Sequence, residues 1–278
     1  MKRLQIHLRQ FQNAHFFRMK RLSPDLEIAT AANLENLDIT LAQSLIENNA
    51  CAFSGFQMNG SFDVDFATAA KWITEPNPNG KSNKDVLEMY CNAKDITSRS
   101  RNQWVINFGE LSEYDASLYE KPFEHVLKYV KPERLLKREA YLSTKYWLHK
   151  RTSPAMRKAI RGRGRFIATP MVSKHRLFVF MRENSVPENA AIVIARSDDT
   201  TFGILHSRFH ELWSLRMCTW MGKGNDPRYT PTTCFETFPF PESMAPIDTN
   251  DDPIADGKLL LPRVIEGRKE AARNIAIA

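Results

Sequence analysis

The sequence has few of the features that mark secreted, membrane-spanning or disulfide-bonded proteins. Its four cysteines, Cys51, Cys91, Cys218 and Cys234, are far apart and form no Cys-x-x-Cys pair, so we expect free thiols in a reducing compartment. No apolar run reaches the roughly 18 residues that a membrane helix needs. The basic N-terminus lacks the apolar centre of a signal peptide. These absences predict a cytoplasmic protein without a membrane partner.

Motifs of common catalytic sites are also missing. The sequence has no Gly-x-Ser-x-Gly, P-loop, Gly-x-Gly-x-x-Gly or His-Glu-x-x-His motif, and no pair of carboxylates stands out. It has no Asn-Pro-Pro-Tyr type motif, with which amino-methyltransferases grip a flipped base. We therefore expect no autonomous activity, no metal site and no cofactor on this chain.

What the sequence does contain is a concentrated block of positive charge. The 278 residues are 42% apolar, enough for a sizeable core, and carry a net charge of +7. Between Lys128 and Arg182 there are 16 Lys or Arg residues and only two acids, Glu133 and Glu139, whereas the rest of the chain has a net charge of −7. Such a segment on a mildly acidic body favours a polyanionic partner, most commonly nucleic acid, over a merely solvated face.

The order of predicted elements is mixed and indicates an α+β fold with a mixed sheet and flanking helices. Helices are predicted over residues 40–49 (with Thr40 as cap), 61–73, 154–160 and 202–221, and from near Leu261. A longer helical region over 113–147 is interrupted near Pro122 and Pro132. Strands are predicted over 50–56, 103–108, 165–169, 177–181 and 190–195, and 234–241 is expected to be extended.

Two helical regions carry predicted apolar faces. In region 113–147 the expected buried residues are Leu135, Leu136, Tyr141, Tyr146 and Trp147, with Arg134, Lys137, Arg138 and Lys145 mainly on other faces. In region 202–221 the expected apolar stripe consists of Leu205, Phe209, Leu212, Trp213 and Trp220.

The segment RGRGRFIATPMVSKHR, residues 161–176, is the first candidate binding site. Gly162 and Gly164 would let the backbone approach an anion closely, and the planar forks of Arg161, Arg163 and Arg165 could hold phosphates. Further along, the candidate contacts are Lys174, His175 and Arg176. A solvated, flexible loop is the alternative interpretation.

A second basic loop, residues 222–233, is the candidate for reading base edges. It offers donors, acceptors and a ring, a mixture that suits base edges better than charge alone. Its candidate residues are Lys223, Asn225, Asp226, Arg228, Tyr229 and Thr230. The residue types support equally well a simple turn at Asn225-Asp226-Pro227.

His206 and His210 have the i, i+4 spacing of a helical metal site, but no third ligand lies nearby in the sequence. We therefore favour core or interface histidines over metal ligands.

Several phrases occur together that are specific to one family. They are NGSFDVD (59–65), PNPNGKSNKDV (76–86), DITSRSRNQWVINFG (95–109), YEKPFEHVLKYVKPER (119–134), RFIATPMVSKHRLFVF (165–180), FGILHSRFHELWSL (202–215) and GNDPRYTPTTCFETFPFP (224–241). In this order they resemble the C-terminal part of MmeI-like DNA adenine methyltransferases, the single-chain enzymes of type IIG/IIL restriction-modification and of related phage-defence systems such as DISARM.

The resemblance covers about residues 40–241 and implies specificity without chemistry. It implies an N-terminal helical or linker segment over 1–58, a target-recognition domain over 59–200 and a C-terminal helical segment over 201–278. The methyltransferase domain, which would bind S-adenosylmethionine, lies upstream in that family and is not expected among residues 1–39. The implied partners are double-stranded DNA and a separate methyltransferase chain or a second copy of this chain.

Three rival interpretations remain open. The basic block would also suit a stand-alone RNA-binding protein, although neither an RRM signature nor a KH-type Gly-x-x-Gly loop is present. An enzyme of unfamiliar type, such as a nuclease, would need an acidic metal cluster that the sequence does not show. The third is an inert remnant with incidental affinity for DNA.

Overall fold

The computed structural model describes residues 38–222, 225–241, 244–246, 253–255 and 260–262. These residues form two compact units. The central unit comprises residues 53–195, and the terminal unit combines residues 38–52 with the described residues from 196 onward. The functional division at residues 58 and 200 stays a prediction.

The central unit alternates short strands and short helices. Its strands are β1 (Ala52–Ser54), β2 (Asp63–Val64), β3 (Leu87–Cys91), β4 (Trp104–Ile106), β5 (Arg165–Pro170), β6 (Val179–Arg182), β7 (Ser185–Pro187) and β8 (Ala191–Ile194). Its α-helices are α1 (Phe66–Thr74), α2 (Ala93–Thr97), α3 (Glu113–Ser117), α4 (Glu120–His125), α5 (Lys131–Leu135), α6 (Ala140–Thr144) and α7 (Pro154–Ile160). A 3₁₀ turn spans Asn83–Val86 and a π-helical turn spans Val126–Val130.

One sheet of the central unit has the strand order β1-β8-β5-β6. Strand β5 pairs antiparallel with both neighbours, so that Ile167 lies opposite Phe180 and Ile194. Strand β8 is buried along its whole length, and α7 contributes Met156 and Ile160 to the same cluster. The predictions of helix 154–160 and of strands 165–169, 177–181 and 190–195 are confirmed.

The other sheet has the order β2-β4-β3-β7 and is mixed, because β3 pairs antiparallel with β4 but parallel with β7. Its apolar side chains join the main core of the unit, which includes Phe62, Val105 and Ile106. The two sheets with their helices make the chain an α+β protein, as predicted. Strands β3 and β7 were not predicted, because each contains polar residues that weaken the apolar pattern.

The predicted helix over residues 61–73 begins later than expected. Asp65 is its N-cap, with Oδ1 accepting a hydrogen bond from the Thr68 backbone N–H at 2.8 Å. The residues before it form β2, which pairs with β4. The sheet therefore takes the first turn that the sequence pattern had assigned to the helix.

Region 113–147 is helical in short pieces, and its buried face differs from the prediction. Tyr146 and Trp147 are buried as expected. The structure exposes the other three predicted core residues, Leu135, Leu136 and Tyr141. Because α5 ends at Leu135 and α6 starts at Ala140, no continuous helical face carries these side chains into the core.

Arg134 was predicted to lie mainly outside the buried face of this region. In the structure it is fully buried. Its guanidinium donates five hydrogen bonds to the main-chain carbonyls of Met58, Asn59, Lys145, Tyr146 and Leu148. It also lies 4.8 Å from the centre of the Phe62 ring. Burial lowers the pKa of Arg134 to about 10, so the side chain remains charged at neutral pH and joins two loops to one helix.

The terminal unit combines helices with short antiparallel ribbons. Its α-helices are α8 (Asp199–His206) and α9 (Arg208–Met217), and its strands are β9 (Thr219–Met221), β10 (Asp226–Arg228), β11 (Pro253–Ala255) and β12 (Leu260–Pro262). Two 3₁₀ turns span Ile39–Leu41 and Ile46–Asn48, and a π-helical turn spans Pro231–Phe235. The Asn48 amide joins its two chain segments by donating to the carbonyls of Phe235, Glu236 and Phe238.

Three predictions for the terminal unit are wrong. Residues 40–49 form two 3₁₀ turns, the first capped by Asp38 rather than Thr40. The helix predicted over 202–221 divides at Ser207, whose Oγ accepts from the His210 N–H and caps α9. Trp220 consequently lies on β9 and is 53% exposed. The π-helical turn replaces the first part of the extended stretch predicted over 234–241.

Two further predictions concern the ends of the chain. Near Leu261 the structure has strand β12, paired antiparallel with β11, instead of the start of a helix. Residues 263–278 and most of the predicted segment 1–58, namely residues 1–37, lie outside the described residues. Among the helices that are described, none has the length and apolarity to cross a membrane.

Candidate nucleic-acid interface

All sixteen cations of the basic block belong to the central unit. The side chains that the structure leaves exposed on its surface are Lys128, Lys137, Arg138, Lys145, Arg151, Lys158, Arg161, Lys174 and Arg182. They are available to a polyanion without any rearrangement of the core.

Other cations of the block have structural roles. Arg157 makes a two-point salt bridge with Glu88, with both N–O distances at 3.0 Å, and Lys150 pairs with Glu139 at 2.8 Å. Arg157 also lies in the last turn of α7, where a positive charge interacts favourably with the helix dipole. The count of sixteen therefore overstates the charge that faces solvent.

The RGRGR turn binds an anion from within the chain. Gly162 and Gly164 have positive φ angles of 80° and 70°, a conformation that glycine adopts without strain. Their backbone N–H groups donate to the two carboxylate oxygens of Glu183 at 2.7 and 2.9 Å. The turn has the shape expected for anion binding, but Glu183 occupies the position that we had expected a phosphate to take.

The three arginines of that turn have different surroundings. Arg161 follows the last turn of α7 with an exposed side chain. Arg163 is partly buried, and its Nε donates to the Ala159 carbonyl at 2.6 Å. Arg165 lies on β5 with its guanidinium 3.8 Å from the centre of the Phe180 ring. Of the three, Arg161 is best placed to meet a phosphate.

Exposure also differs among the next candidate contacts, Lys174, His175 and Arg176. Lys174 and His175 are exposed in the loop after β5. Arg176 is partly buried, and its Nη1 donates to the Thr169 hydroxyl at 3.0 Å and to the Pro170 carbonyl. It fixes the loop to the sheet, while its two neighbours project to the surface.

The second basic loop is part of an antiparallel ribbon formed by β9 and β10, in which Trp220 lies opposite Pro227. All three residues of β9 are exposed. Asn225 is exposed next to the turn, with a positive φ of 49°, and donates its N–H to the Gly222 carbonyl. A two-stranded ribbon is one of the shapes that the DNA major groove admits.

The ribbon exposes only some of the residues that were predicted to contact base edges. Asp226 and Arg228 are partly buried on β10, and Thr230 is partly buried with its hydroxyl bonded to that of Thr233. Lys223 lies outside the described residues. Tyr229 is fully buried, with its hydroxyl 3.0 Å from Nε2 of His210, so the assignment of its ring to base contact is wrong.

The two histidines of the terminal unit do not form a pair. His210 is buried, as predicted for a core histidine, with Nδ1 bonded to the Leu205 carbonyl and Nε2 to Tyr229. His206 is exposed and is therefore not a core histidine, while the alternative of an interface histidine stays a prediction. No group of three potential metal ligands occurs within the described part of the chain.

A surface that sequence reasoning missed lies around the end of α5. We call it the leucine turn, residues 135–141. Leu135 is 59% exposed and Leu136 is 88% exposed, and Lys137 and Arg138 follow directly. No local signal marked this surface: adjacent leucines fit one apolar helical stripe, and the end of α5 at Leu135 is what leaves them exposed.

A cavity of about 430 Å³ in the central unit is less suited to a phosphate. Its lining includes three acids, Asp63, Asp65 and Glu124, beside Lys121 and Lys128. The mixed charge provides no net attraction for a polyanion.

The fold and surface define a class of α+β protein with an exposed ribbon in one unit and solvent-facing cations in the other. The chain belongs to the family of the MmeI target recognition domain, whose family model matches residues 71–242. The solved structures include a similar chain, the type IIL restriction-modification enzyme MmeI in complex with DNA, with a TM-score of 0.53 and 15% identity. That match covers 68% of this chain and 25% of that one. No curated protein matches the chain.

Proposed function

We propose that this chain recognises a specific sequence in double-stranded DNA, as the specificity portion of a restriction-modification or phage-defence DNA adenine methyltransferase. The observation that carries the proposal is the membership of residues 71–242 in the target recognition family. The fold similarity to an enzyme in complex with DNA and the exposed cations of the central unit support it.

Recognition would use two kinds of contact, one to phosphates and one to base edges. Exposed cations such as Arg161 and Lys174 would bind phosphates, which positions a duplex without reading its sequence. The β9–β10 ribbon would enter a groove, where Asn225 could pair with adenine and Arg228, if it turned outward, with guanine. The cost of extruding an adenine, a few kcal/mol, would be offset by contacts made only at the cognate sequence.

Methyl transfer would depend on residues outside these 278. The chain has none of the motifs that bind S-adenosylmethionine or hold a flipped base, so we infer that the cofactor binds a separate methyltransferase chain or domain. The partners would meet in the cytoplasm, where their DNA substrate is found. The purified chain should transfer no labelled methyl group to DNA.

The test is duplex binding over a salt series, with single-stranded DNA and RNA as competitors. Each phosphate contact contributes about −0.9 to the slope of log affinity against log salt, so about five contacts would weaken binding several-hundred-fold over a fourfold rise in salt. We expect that steep dependence and a preference for duplex DNA. Flat dependence or a preference for RNA would contradict the proposal.

A matched pair of lysine variants localises the surface. Lys174→Gln should weaken binding to all duplexes alike and reduce the salt slope by about one unit. Lys84→Gln removes another exposed lysine of the same unit from outside the basic block, and it should leave the slope unchanged. Equal effects of the two substitutions would show that the binding is not localised.

A further inference from the structure

We propose that Leu136, supported by Leu135, is a wedge that inserts between base pairs of bound DNA. The inference rests on the proposed function and goes beyond it, because it assigns a DNA-deforming role to a surface distinct from both predicted loops. The first observation is exposure: Leu136 is 88% exposed and Leu135 is 59% exposed. Leucine is one of the apolar side chains that proteins insert into a base step to kink the duplex.

The leucine turn is held on a rigid base. Arg134, directly before it, is fully buried and binds five main-chain carbonyls, three of them in residues 145–148 just beyond α6. Glu133 accepts from the Ser61 N–H at 3.1 Å and from the Ser61 hydroxyl at 2.6 Å. The start of the turn is therefore anchored, and Arg134 connects it to the segment that follows α6, which reduces the entropy cost of ordering the leucines.

Charge around the turn identifies the occupant. Two exposed cations, Lys137 and Arg138, directly follow the leucines, and Lys128 and Lys145 are exposed within ten residues of them along the chain. The two local acids are engaged within the chain, Glu133 with Ser61 and Glu139 with Lys150. An exposed apolar tip followed directly by two exposed cations complements a base step next to phosphates.

A protein partner fits this surface less well. Protein–protein interfaces are depleted in lysine, whereas three of the four exposed cations named above are lysines. A phosphate backbone uses lysine readily, as a point charge. We therefore commit to duplex DNA as the occupant of the leucine turn and treat protein docking as an outcome of the test.

The experiment uses the whole chain and first selects the duplexes that the chain binds. Duplexes that the chain retains from a random-sequence pool are footprinted with permanganate, which oxidises thymines that have lost stacking. We expect reactive thymines within the protected region of the wild-type complex. Leu136→Ala should abolish that reactivity at saturating protein and weaken binding about tenfold or more, since burial of a leucine side chain is lost.

Two further variants separate the wedge from its surroundings. Lys137→Gln should reduce affinity and salt slope but keep the thymines reactive at saturation. Leu41→Ala changes a leucine that is 77% exposed in the terminal unit, and it should leave both affinity and reactivity unchanged.

Three results would overturn the wedge. One is retained thymine reactivity in Leu136→Ala. Another is a change in self-association of Leu136→Ala with DNA binding unaltered, which would identify a protein-docking surface. In both cases duplex binding by the wild type would leave the proposed function standing. The third, an absence of duplex binding by the wild type, would remove both proposals.

Discussion

Replacing Arg134 with methionine should reduce the free energy of unfolding by about 3–5 kcal/mol, because several buried carbonyls lose their hydrogen-bond donors. The substitution keeps much of the side-chain volume but removes the guanidinium donors from the carbonyls of Asn59, Tyr146 and Leu148. Each buried acceptor that loses its partner costs about 1–3 kcal/mol. Urea denaturation of both proteins measures the difference.

The position also tolerates little repacking. Gly60 lies against this side chain, and a Cβ atom there would be 2.9 Å from Val130 and 3.4 Å from Nε of Arg134. Arg134→Lys should recover little stability, because an ammonium has three donors and cannot reproduce the planar guanidinium fork. Faster hydrogen exchange in β4 of the variant would show that the loss affects the central unit.

Arg138 provides the matched control, since it is the same residue type four positions further on and exposed. Arg138→Met should change the free energy of unfolding by less than about 0.5 kcal/mol while weakening DNA binding. If the two methionine variants were equally stable, the network around Arg134 would not carry the stability assigned to it.

Lowering the pH from 7 to 5 should destabilise the central unit through His149. This residue is fully buried, stacks on Phe56 at 4.8 Å and donates its Nε2–H to the Ile106 carbonyl at 2.8 Å. Burial, which disfavours the charged ring, lowers the pKa of His149 from 6.5 to about 3. Its Nδ1 is buried and has no hydrogen-bond partner, so a proton added there would find no acceptor.

The sign of the pH effect on stability depends on whether the folded or the unfolded state binds the proton at the higher pH. The folded-state pKa lies below the unfolded value, so the unfolded chain takes up the proton as the pH falls below about 6.5. The stabilisation from a neutral His149 is complete above that pH and decreases down to about pH 3, where the folded state also becomes protonated. Between pH 7 and pH 5 this one group should cost about 2 kcal/mol.

The measurement is the unfolding free energy at the two pH values in wild type and in His149→Gln. The variant will be less stable at both, because it loses ring packing, but its decrease between pH 7 and pH 5 should be about 2 kcal/mol smaller. His206→Gln removes an exposed histidine and should keep the wild-type pH dependence. An unchanged pH dependence in His149→Gln would contradict the assignment.

Much of the architecture could be predicted from local sequence. Strands β5, β6 and β8 and helix α7 were predicted because continuous apolar runs and a proline at a helix start are strong local signals. Strands β3 and β7 were missed because their hydrogen-bond partners are distant in sequence, and they carry polar residues that only the assembled sheet accommodates. The split of helix 202–221 was missed because a serine inside a helical pattern is not a visible break until its hydroxyl caps the next helix.

The basic character, the family resemblance and the α+β class were determined by the sequence alone, because charge count, motif order and apolar periodicity are properties of the chain itself. Tertiary structure decided what each cation does. It buried Arg134 among carbonyls and set Glu183 against the glycine amides of the RGRGR turn. It also left Leu136 in solvent, because α5 ends before that residue reaches the core. Such assignments depend on contacts between residues far apart in the chain, and no local pattern records them.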